Sequence, residues 1–351
     1  MDRRSLIALS CASSVAFFAP CALGAGPKKN NSLSKRFCLL VELAGGNDGL
    51  NTVIPYSDPL YTKQRQQLAI SPQEILPLDE NLGLHPAMEP LMGAWLNGDM
   101  ASVVGLGHPI PSRSHFRSGK IWDTAFASCM HTVPRWSTDD VKRQQTRTRP
   151  KKCSTTRTNA SNTLMSLRQW LLTNHSDVSR ASRRKLLSAN DFPAGHFGQN
   201  IKVAAAMLLE EVATPVIKVK LSGFDTHTGQ MGRHSALLQE LSCGLAAFRN
   251  IMIRTGMWDR VLIATYSEFG RQVTANGSLG TDHGTAAAHL VLGGNVKGGI
   301  YGVHPSLNDL DGNNLKHTTD FRQYLATIAR DYLDFSGAFS AYTSMGFITR
   351  T

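Results

Sequence analysis

Short apolar runs alternate with segments of helical spacing along most of the chain. The first run, FCLLVELA, follows Arg36 and ends in the turn GGNDG. Further apolar runs of strand length lie at 101–107, 216–221, 260–266 and 287–294. Apolar positions repeat at helical spacing over 200–213 and 234–255, which predicts two helices between these strands. Buried strands that alternate with helices are typical of an α/β fold with a mostly parallel sheet.

The predicted strands are flanked by polar residues that can bind a metal ion. They are Asp48 after the first strand, Asp225 and His227 after the third, Glu268 after the fourth, and Asp282 with His283 before the last. Taken singly, such residues also serve as turn residues, helix caps or ion-pair partners. Their recurrence at strand ends favours a site, because α/β sheets bind ligands at that edge. Mixed carboxylate and imidazole ligands suit a divalent ion such as zinc or manganese.

The segment PSRSHFRSGK, which follows the second strand, has the pattern of a helix start. Ser114 is a candidate catalytic nucleophile there, because a helix N-terminus stabilises negative charge. Capping of the helix by Ser112 or Ser114 is the structural alternative. The candidate substrate-binding residues for a small anionic ester are Asn47, Arg113, Arg117 and Arg271. The chain lacks the GxSxG, Walker and GxGxxG patterns, which argues against serine esterases, nucleotide hydrolases and dinucleotide-binding proteins.

Composition favours one globular domain with one unusual segment. The chain has 351 residues, of which 42% are hydrophobic and 18% charged, with a net charge of +11. Most of that charge lies in 126–190, which lacks periodicity and is rich in Arg, Thr and Ser. We expect this segment to be a disordered insertion or a stretch with a drifted reading frame. Its disorder argues against a nucleic-acid site, which needs basic residues on an ordered face.

The N-terminus has the features of an export signal. Two arginines, Arg3 and Arg4, precede a weakly apolar stretch that ends in small residues near Ala25. The pair predicts residues 1–25 as a signal for the twin-arginine translocase, and 26–351 as one mature domain. The run is too short for a stable membrane span. We therefore expect a periplasmic or secreted protein without lipidation, and the irregular cysteine spacing predicts neither a zinc knuckle nor a disulfide framework.

Seven motifs in order resemble the exported bacterial family called domain of unknown function 1501. They are GGNDGLNTVIPY at 45–56, SRSHFRSGKIWDTA at 112–125, GFDTHTGQ at 223–230, SEFGR at 267–271, GTDHG at 280–284, LVLGGNVKGGIYG at 290–302 and LKHTTDFRQYLATI at 315–328. The resemblance covers most of the mature chain except about 126–195. That family is similar to the alkaline phosphatase and sulfatase superfamily, which implies a three-layer fold around a mostly parallel sheet.

The resemblance to the superfamily implies roles for several residues. Asp48 stands where a first-strand aspartate binds one metal ion. Ser114, or Ser112, stands for the nucleophile at a helix start. Asp225 and His227 stand for the ligands of the other ion.

The second half of the implied site departs from the superfamily at one position. The Asp-His pair expected after the next strand is replaced by Glu268 and Phe269, so one histidine ligand is absent. His283 resembles the last histidine ligand, with Asp282 beside it as a further ligand or as the residue that orients it. His234 is an alternative ligand, because His227 lies closer to the strand than is usual.

The sequence therefore predicts a metal-dependent hydrolase of phosphate or sulfate esters. The alternative is a non-catalytic envelope protein that keeps the fold to bind a carbohydrate or surface polymer, inactive through its altered middle segment. The replacement of the expected histidine by Phe269 is the feature that favours this alternative.

Overall fold

The computed structural model describes residues 16–18, 36–130, 191–210, 215–335 and 339–349. Its strands are β1 Ala16–Phe18, β2 Phe37–Ala44, β3 Val53–Ile54, β4 Leu76–Pro77, β5 Gly83–Leu84, β6 Met100–Gly107, β7 Val216–Ser222, β8 Val261–Tyr266, β9 Ala287–Gly293, β10 Gly299–Tyr301, β11 Leu310–Asp311, β12 Asn314–Leu315 and β13 Thr319–Asp320. Its α-helices are α1 Pro59–Arg65, α2 Met92–Leu96, α3 His115–Met130, α4 His196–Leu209, α5 Gln230–Arg254 and α6 Phe321–Ala326. A π-helical turn, Thr327–Tyr332, continues α6.

The central sheet is mostly parallel, as predicted. Its strands lie in the order β1, β7, β2, β8, β9, β6, β10, and β13 also pairs with β6. β2 runs parallel to β7 and β8, and β6 runs parallel to β10 and β13. The antiparallel members are β9, between β8 and β6, and the edge strand β1. The direction of β9 does not follow from its sequence, because all its residues are buried and its apolar run does not alternate.

Helices cover both faces of the sheet. Alternate residues of β2 belong to different clusters, because successive side chains of a strand point to opposite faces. Phe37, Leu39 and Val41 pack in a cluster with residues of α4 and α5. Cys38 and Leu40 pack in a second cluster with residues of α3 and α6. The chain therefore folds into three layers, α/β/α, with an apolar core on each side of the sheet.

The two predicted long helices exist but begin four residues earlier than expected. Helix α5 starts after Gly229, which has a positive φ of 52°. Its first turn, QMGR, lacks the apolar spacing of the rest of the helix. Gln230 is nevertheless buried, because its side chain is hydrogen-bonded in the interior. The polar character of this turn hides the helix start from a periodicity argument.

The topology brings several loops to one edge of the sheet. β2, β6, β7 and β8 point the same way, so their carboxyl ends meet at that edge. β9 runs in the opposite direction and therefore begins there. The 267–286 connection leaves β8 and enters β9 at the same edge, and it carries both the SEFGR and GTDHG motifs. The predicted site residues therefore lie on loops at the carboxyl edge of the sheet.

Two predictions from the sequence fall largely outside the described residues. Of the segment predicted as a signal, the structure describes only β1, which pairs with β7. Of the basic segment 126–190, it describes only the end of α3, which continues helically to Met130. Within the described ranges, no helix combines the length and the hydropathy needed to cross a membrane.

Candidate metal centre

Side chains able to bind a metal ion converge at the carboxyl edge of the sheet. Asp225 and His227 follow β7, and His283 precedes β9. His115 is the first residue of α3, in the connection that follows β6. One ligand atom from each of His115, Asp225 and His283 lies within 4.8 Å of the other two. The site therefore combines residues from three separate parts of the chain.

Three atoms, one each from His227, His283 and Asp225, form a small triangle. The Nε2 atoms of His227 and His283 are 2.9 Å apart. Oδ1 of Asp225 lies 3.1 Å from each of them. For a triangle of this size, a point about 2.0–2.1 Å from all three atoms lies just outside their plane, which is the distance at which zinc binds nitrogen and oxygen ligands.

The hydrogen bonds of the two rings fix their tautomers. Nδ1 of His283 lies 2.8 Å from the backbone carbonyl oxygen of Arg113, which can only accept. Nδ1 of His227 lies 3.0 Å from Oδ1 of Asp282, a carboxylate oxygen. Both rings therefore donate from Nδ1, and in the neutral form each Nε2 carries a lone pair.

A metal ion fits this arrangement. Two imidazole lone pairs and a carboxylate oxygen about 3 Å apart repel one another unless a proton or a cation lies between them. Histidine ligands of metal ions commonly donate their other N–H to a carboxylate or a backbone carbonyl. His227 has the first kind of partner and His283 the second. The chemistry and orientation of these donors suit a metal ion.

His115 approaches the same carboxylate from α3 and also contacts Glu268. Its Nε2 lies 3.6 Å from Oδ2 of Asp225, and its Nδ1 lies 3.6 Å from Oε1 of Glu268. The other oxygen of Glu268 accepts hydrogen bonds from the backbone N–H groups of Gly45 and Gly46, at 2.8 and 3.0 Å. Both glycines have positive φ, a backbone conformation that glycine adopts easily. The glycine turn after β2 thus fixes Glu268 beside His115.

Arg271 holds Asp225 in its ionised form. Its Nη2 donates to Oδ1 of Asp225 at 2.7 Å. Partial burial of Asp225 acts to raise its pKa, but the hydrogen bond and the positive charge of Arg271 outweigh burial and lower the pKa to about 2. Asp225 is therefore an anion at neutral pH, as a metal ligand requires.

Asp48, predicted as a metal ligand, belongs instead to a buried ion pair. It is 1% exposed, and both its oxygens accept hydrogen bonds from Arg65 at 2.6 Å. Gln230 donates to the same carboxylate. Burial acts to raise the pKa of Asp48, but the charge of Arg65 outweighs it and lowers the pKa. The structure therefore places Asp48 in an ion pair with Arg65, and its assignment as a metal ligand stays a prediction.

Three other predicted site residues, Asn47, His234 and Arg271, are buried and form hydrogen bonds between separate parts of the chain. The side-chain amide of Asn47 is buried and bonds to Thr52 and His234. His234, the alternative ligand, is a buried histidine whose pKa burial lowers to about 4. Arg271, predicted to bind substrate, is 1% exposed and donates to Asp225 and to the carbonyl oxygens of four residues. Those four residues are Gly45, Gly46, Phe224 and Thr281.

Asp282 orients a histidine, but not the one that was expected. Its Oδ1 accepts from His227, and from Nδ2 of Asn276 at 3.1 Å. The hydrogen bonds from Asn276 and His227 lower the pKa of Asp282, so it is ionised. His283 is oriented by the backbone carbonyl of Arg113. Asp282 therefore lies behind His227 and supports it.

The candidates around the start of α3 lie at the surface. Ser114 is exposed and directly precedes the helix, and its backbone N–H donates to Oγ of Ser112 at 3.3 Å. Arg113, before the helix, and Arg117, on its first turn, are also exposed. Ser114 directly precedes His115, which belongs to the candidate metal-binding cluster. Its role as nucleophile and the role of the two arginines in substrate binding stay predictions.

The aromatic ring of Phe269 packs against two histidine rings of the cluster. The centre of its ring lies 4.5 Å from that of His283 and 5.0 Å from that of His115. A Cβ on Gly46 would lie 2.5 Å from the Phe269 ring, so the glycine is needed for the ring to pack there. The place expected for a histidine ligand is therefore filled by an apolar ring.

Sequence reasoning missed His115. His115 comes after a predicted strand and a polar loop, as Asp48, Asp225 and Glu268 do. This shared position was the feature of the sequence that could have identified it. The serine beside it was the predicted nucleophile or helix cap, and no role was predicted for the histidine.

The chain belongs to the family described as Protein of unknown function (DUF1501), whose sequence pattern matches residues 134–331. That range contains the GFDTHTGQ, SEFGR and GTDHG motifs and therefore Asp225, His227 and His283. It also takes in 134–190, where little similarity to the family was expected, and it does not include the two motifs before residue 126.

Comparison with solved structures gives a weak likeness to the C-terminal periplasmic domain of EcEptC from Escherichia coli, in complex with Zn. The sequence identity is 9%, the match covers 76% of this chain and 75% of that chain, and the TM-score is 0.23. At this TM-score the likeness carries no argument about the fold or the site. None of the curated proteins matches the chain.

Proposed function

We propose that this chain is a metal-dependent hydrolase of phosphate or sulfate esters with an alkaline phosphatase-like fold. The observation that carries the proposal is the fixed donation from Nδ1 of His227 and His283, which turns both Nε2 lone pairs toward Oδ1 of Asp225. A proton or a metal ion between these atoms relieves their repulsion, and a metal ion at the carboxyl edge of an α/β sheet would lie where these folds act on ligands.

Zinc suits this site better than manganese does. Imidazole nitrogen is a good zinc ligand, whereas manganese prefers oxygen ligands. Asp225, His227 and His283 would hold the ion, with His115 as the fourth ligand beside Asp225. When bound, the ion supplies Lewis-acid stabilisation of the anionic ester and a water of lowered pKa.

The protein residues around the ion would position the ester. Arg113, two residues before α3, and Arg117, on its first turn, are exposed and would neutralise the phosphate or sulfate oxygens. Ser114 lies at the N-terminus of a 16-residue helix, where backbone N–H groups stabilise an anion. In the proposed mechanism its hydroxyl loses a proton and attacks the phosphorus or sulfur atom, and the leaving oxygen of the ester takes up a proton and departs as the alcohol. Water then cleaves the seryl phosphate or sulfate, which frees the serine and releases inorganic phosphate or sulfate.

A panel of phosphate and sulfate esters tests the proposal on the folded mature chain supplied with zinc. We expect ester cleavage that is lost in Asp225→Ala and retained in Asp309→Ala, a control that removes a surface carboxylate paired with Lys316. Background rates across the whole panel, with folded and zinc-loaded protein, would contradict the hydrolase. Reduced but measurable cleavage in Ser114→Ala would assign the attack to water instead.

Export is part of the proposal and has its own test. The signal predicted in residues 1–25 would direct the folded chain through the twin-arginine translocase to the periplasm. Replacing Arg3 and Arg4 by lysine should keep the protein in the cytoplasmic fraction. Unchanged fractionation of the variant would argue against this route.

A non-catalytic envelope protein is the second candidate, and Phe269 is the observation that favours it. Its ring occupies the position beside His283 and His115 where a further ligand was expected. Across the described residues the potential metal ligands form a single group. This candidate predicts metal-loaded protein that binds an anionic polymer with no cleavage of any ester.

A further inference from the structure

A cleft adjoins the candidate metal centre and shares Glu268 and Phe269 with it. The cleft is partly open to solvent, and it is lined by residues of β6, α3, α6 and the loop after β8. Much of its wall is apolar. The apolar lining includes Leu106, Ile121, Trp122 and Phe321.

Phe269 separates this cleft from the metal-binding cluster. Its ring lines the cleft and also packs against the rings of His283 and His115, at 4.5 and 5.0 Å between centroids. A molecule with its reacting group at the cluster can therefore extend past one aromatic ring into the cleft. The substitution that removes an expected ligand also provides an apolar boundary between the two spaces.

His289 lines the cleft and carries an unpaired hydrogen-bonding atom. It lies on β9, is 1% exposed, and its Nδ1 has no hydrogen-bond partner within the described parts of the chain. Burial of an unpaired polar atom is unfavourable, so a ligand that pairs with Nδ1 gains more than an ordinary surface hydrogen bond.

Other polar side chains of the cleft already have partners. Oγ of Ser118 donates to the carbonyl oxygen of Ser112 at 2.7 Å. Oγ of Ser267 donates to the carbonyl oxygen of Leu43 at 2.6 Å. Burial lowers the pKa of His289 to about 3, so its ring is neutral at ordinary pH and offers no positive charge to an anion. The cleft thus presents apolar surface together with the neutral ring of His289, and Glu268 and His108 add polar groups to its lining.

We infer that this cleft binds the uncharged organic part of the ester, an aromatic group with a hydroxyl or carbonyl that pairs with Nδ1 of His289. The inference rests on the proposed function, because it places the anionic group of the same molecule at the cluster. An apolar wall of Trp122, Phe321 and Phe269 suits an aromatic ring. The neutral imidazole selects an uncharged polar substituent over a second anionic one.

Binding of phenol and toluene, measured by ligand-observed NMR, tests the inference without any need for catalysis. The two probes have similar size and differ in the hydroxyl group. We expect phenol to bind His289→Phe about five- to tenfold more weakly than the wild type, as expected for one lost hydrogen bond to a buried group. Toluene should bind both proteins equally, because phenylalanine keeps the ring but removes both nitrogens.

The control is His85→Phe, which replaces another buried histidine that does not line the cleft. Phenol affinity should be unchanged in this variant. An equal loss in both variants, an equal loss for both probes, or no saturable binding of phenol to the wild type would overturn the inference. If His289→Phe does not fold, nuclear Overhauser effects from phenol to the Trp122 indole in the wild type decide instead, and their absence would count against the cleft.

Inorganic phosphate separates this inference from the proposed function. In zinc-loaded protein, phosphate should bind at the cluster and leave phenol in place, because the two sites are separated by Phe269. Phenol binding without any zinc-dependent phosphate binding would support the cleft and contradict the hydrolase. Zinc-dependent phosphate binding without phenol binding would do the reverse.

Discussion

Nε2 of His227 and Nε2 of His283 lie 2.9 Å apart, with a hydrogen-bond acceptor behind each ring. Because both rings donate from Nδ1, this contact brings two lone pairs together and requires a positive species between them. The proposed metal ion would lie between these two nitrogen atoms and Asp225.

Asp282→Ala should weaken metal binding without removing a ligand. The carboxylate holds His227 in its Nδ1–H tautomer from outside the cluster. Loss of such a supporting group typically lowers metal affinity 10- to 100-fold. Competition for zinc with a chromophoric chelator measures the affinity, with Asp309→Ala as a surface control. Unchanged affinity in Asp282→Ala would show that His227 is not a ligand.

Asp48→Asn should destabilise the fold and leave metal binding intact. The variant leaves the buried guanidinium of Arg65 without its charged partner, a change that typically costs about 3–5 kcal/mol. Urea unfolding measures the loss, and the zinc content of the folded fraction is measured in parallel. A second replacement, Arg65→Met, should recover part of the lost stability. Loss of zinc at unchanged stability would restore Asp48 as a ligand.

His289 should make the fold less stable at mildly acidic pH. Its pKa is about 3 in the folded chain against an ordinary value of 6.5, so between these values only the unfolded state gains a proton. Its contribution is complete above pH 6.5 and is lost progressively as the pH falls toward 3. Between pH 7 and pH 5 the wild type should lose about 2 kcal/mol more than His289→Phe does.

Urea unfolding of both proteins at the two pH values measures this difference, and the comparison cancels the contributions of other groups. Equal losses would show that His289 can accept a proton without unfolding.

The strands and the edge at which the site lies follow from the sequence. Buried apolar runs are clear signals, and the residues just after them reach the carboxyl edge of a parallel sheet. Asp225 and His227 were predicted in this way, and the structure places their side chains next to each other. The sequence signal fails where a side chain depends on a distant partner. Asp48 looks like Asp225 at the end of a strand, and only α1 provides the arginine that binds it.

The antiparallel direction of β9 is the other fact that periodicity does not reveal. It brings His283 back to the edge where β8 ends, and Arg113 then fixes the ring through its backbone carbonyl. Every residue has a backbone carbonyl group, so the sequence does not indicate which one will bind the histidine. Phe269 was correctly recognised as a departure from the expected ligands, but its contacts with two histidine rings and with the cleft required the structure.

The metal content of the purified, folded mature chain tests the central claim most directly. Elemental analysis after gel filtration should find at least one tightly bound divalent ion per chain, with zinc preferred, and Asp225→Ala should lose it. Folded wild-type chain that binds no stoichiometric ion when zinc is supplied would contradict the account.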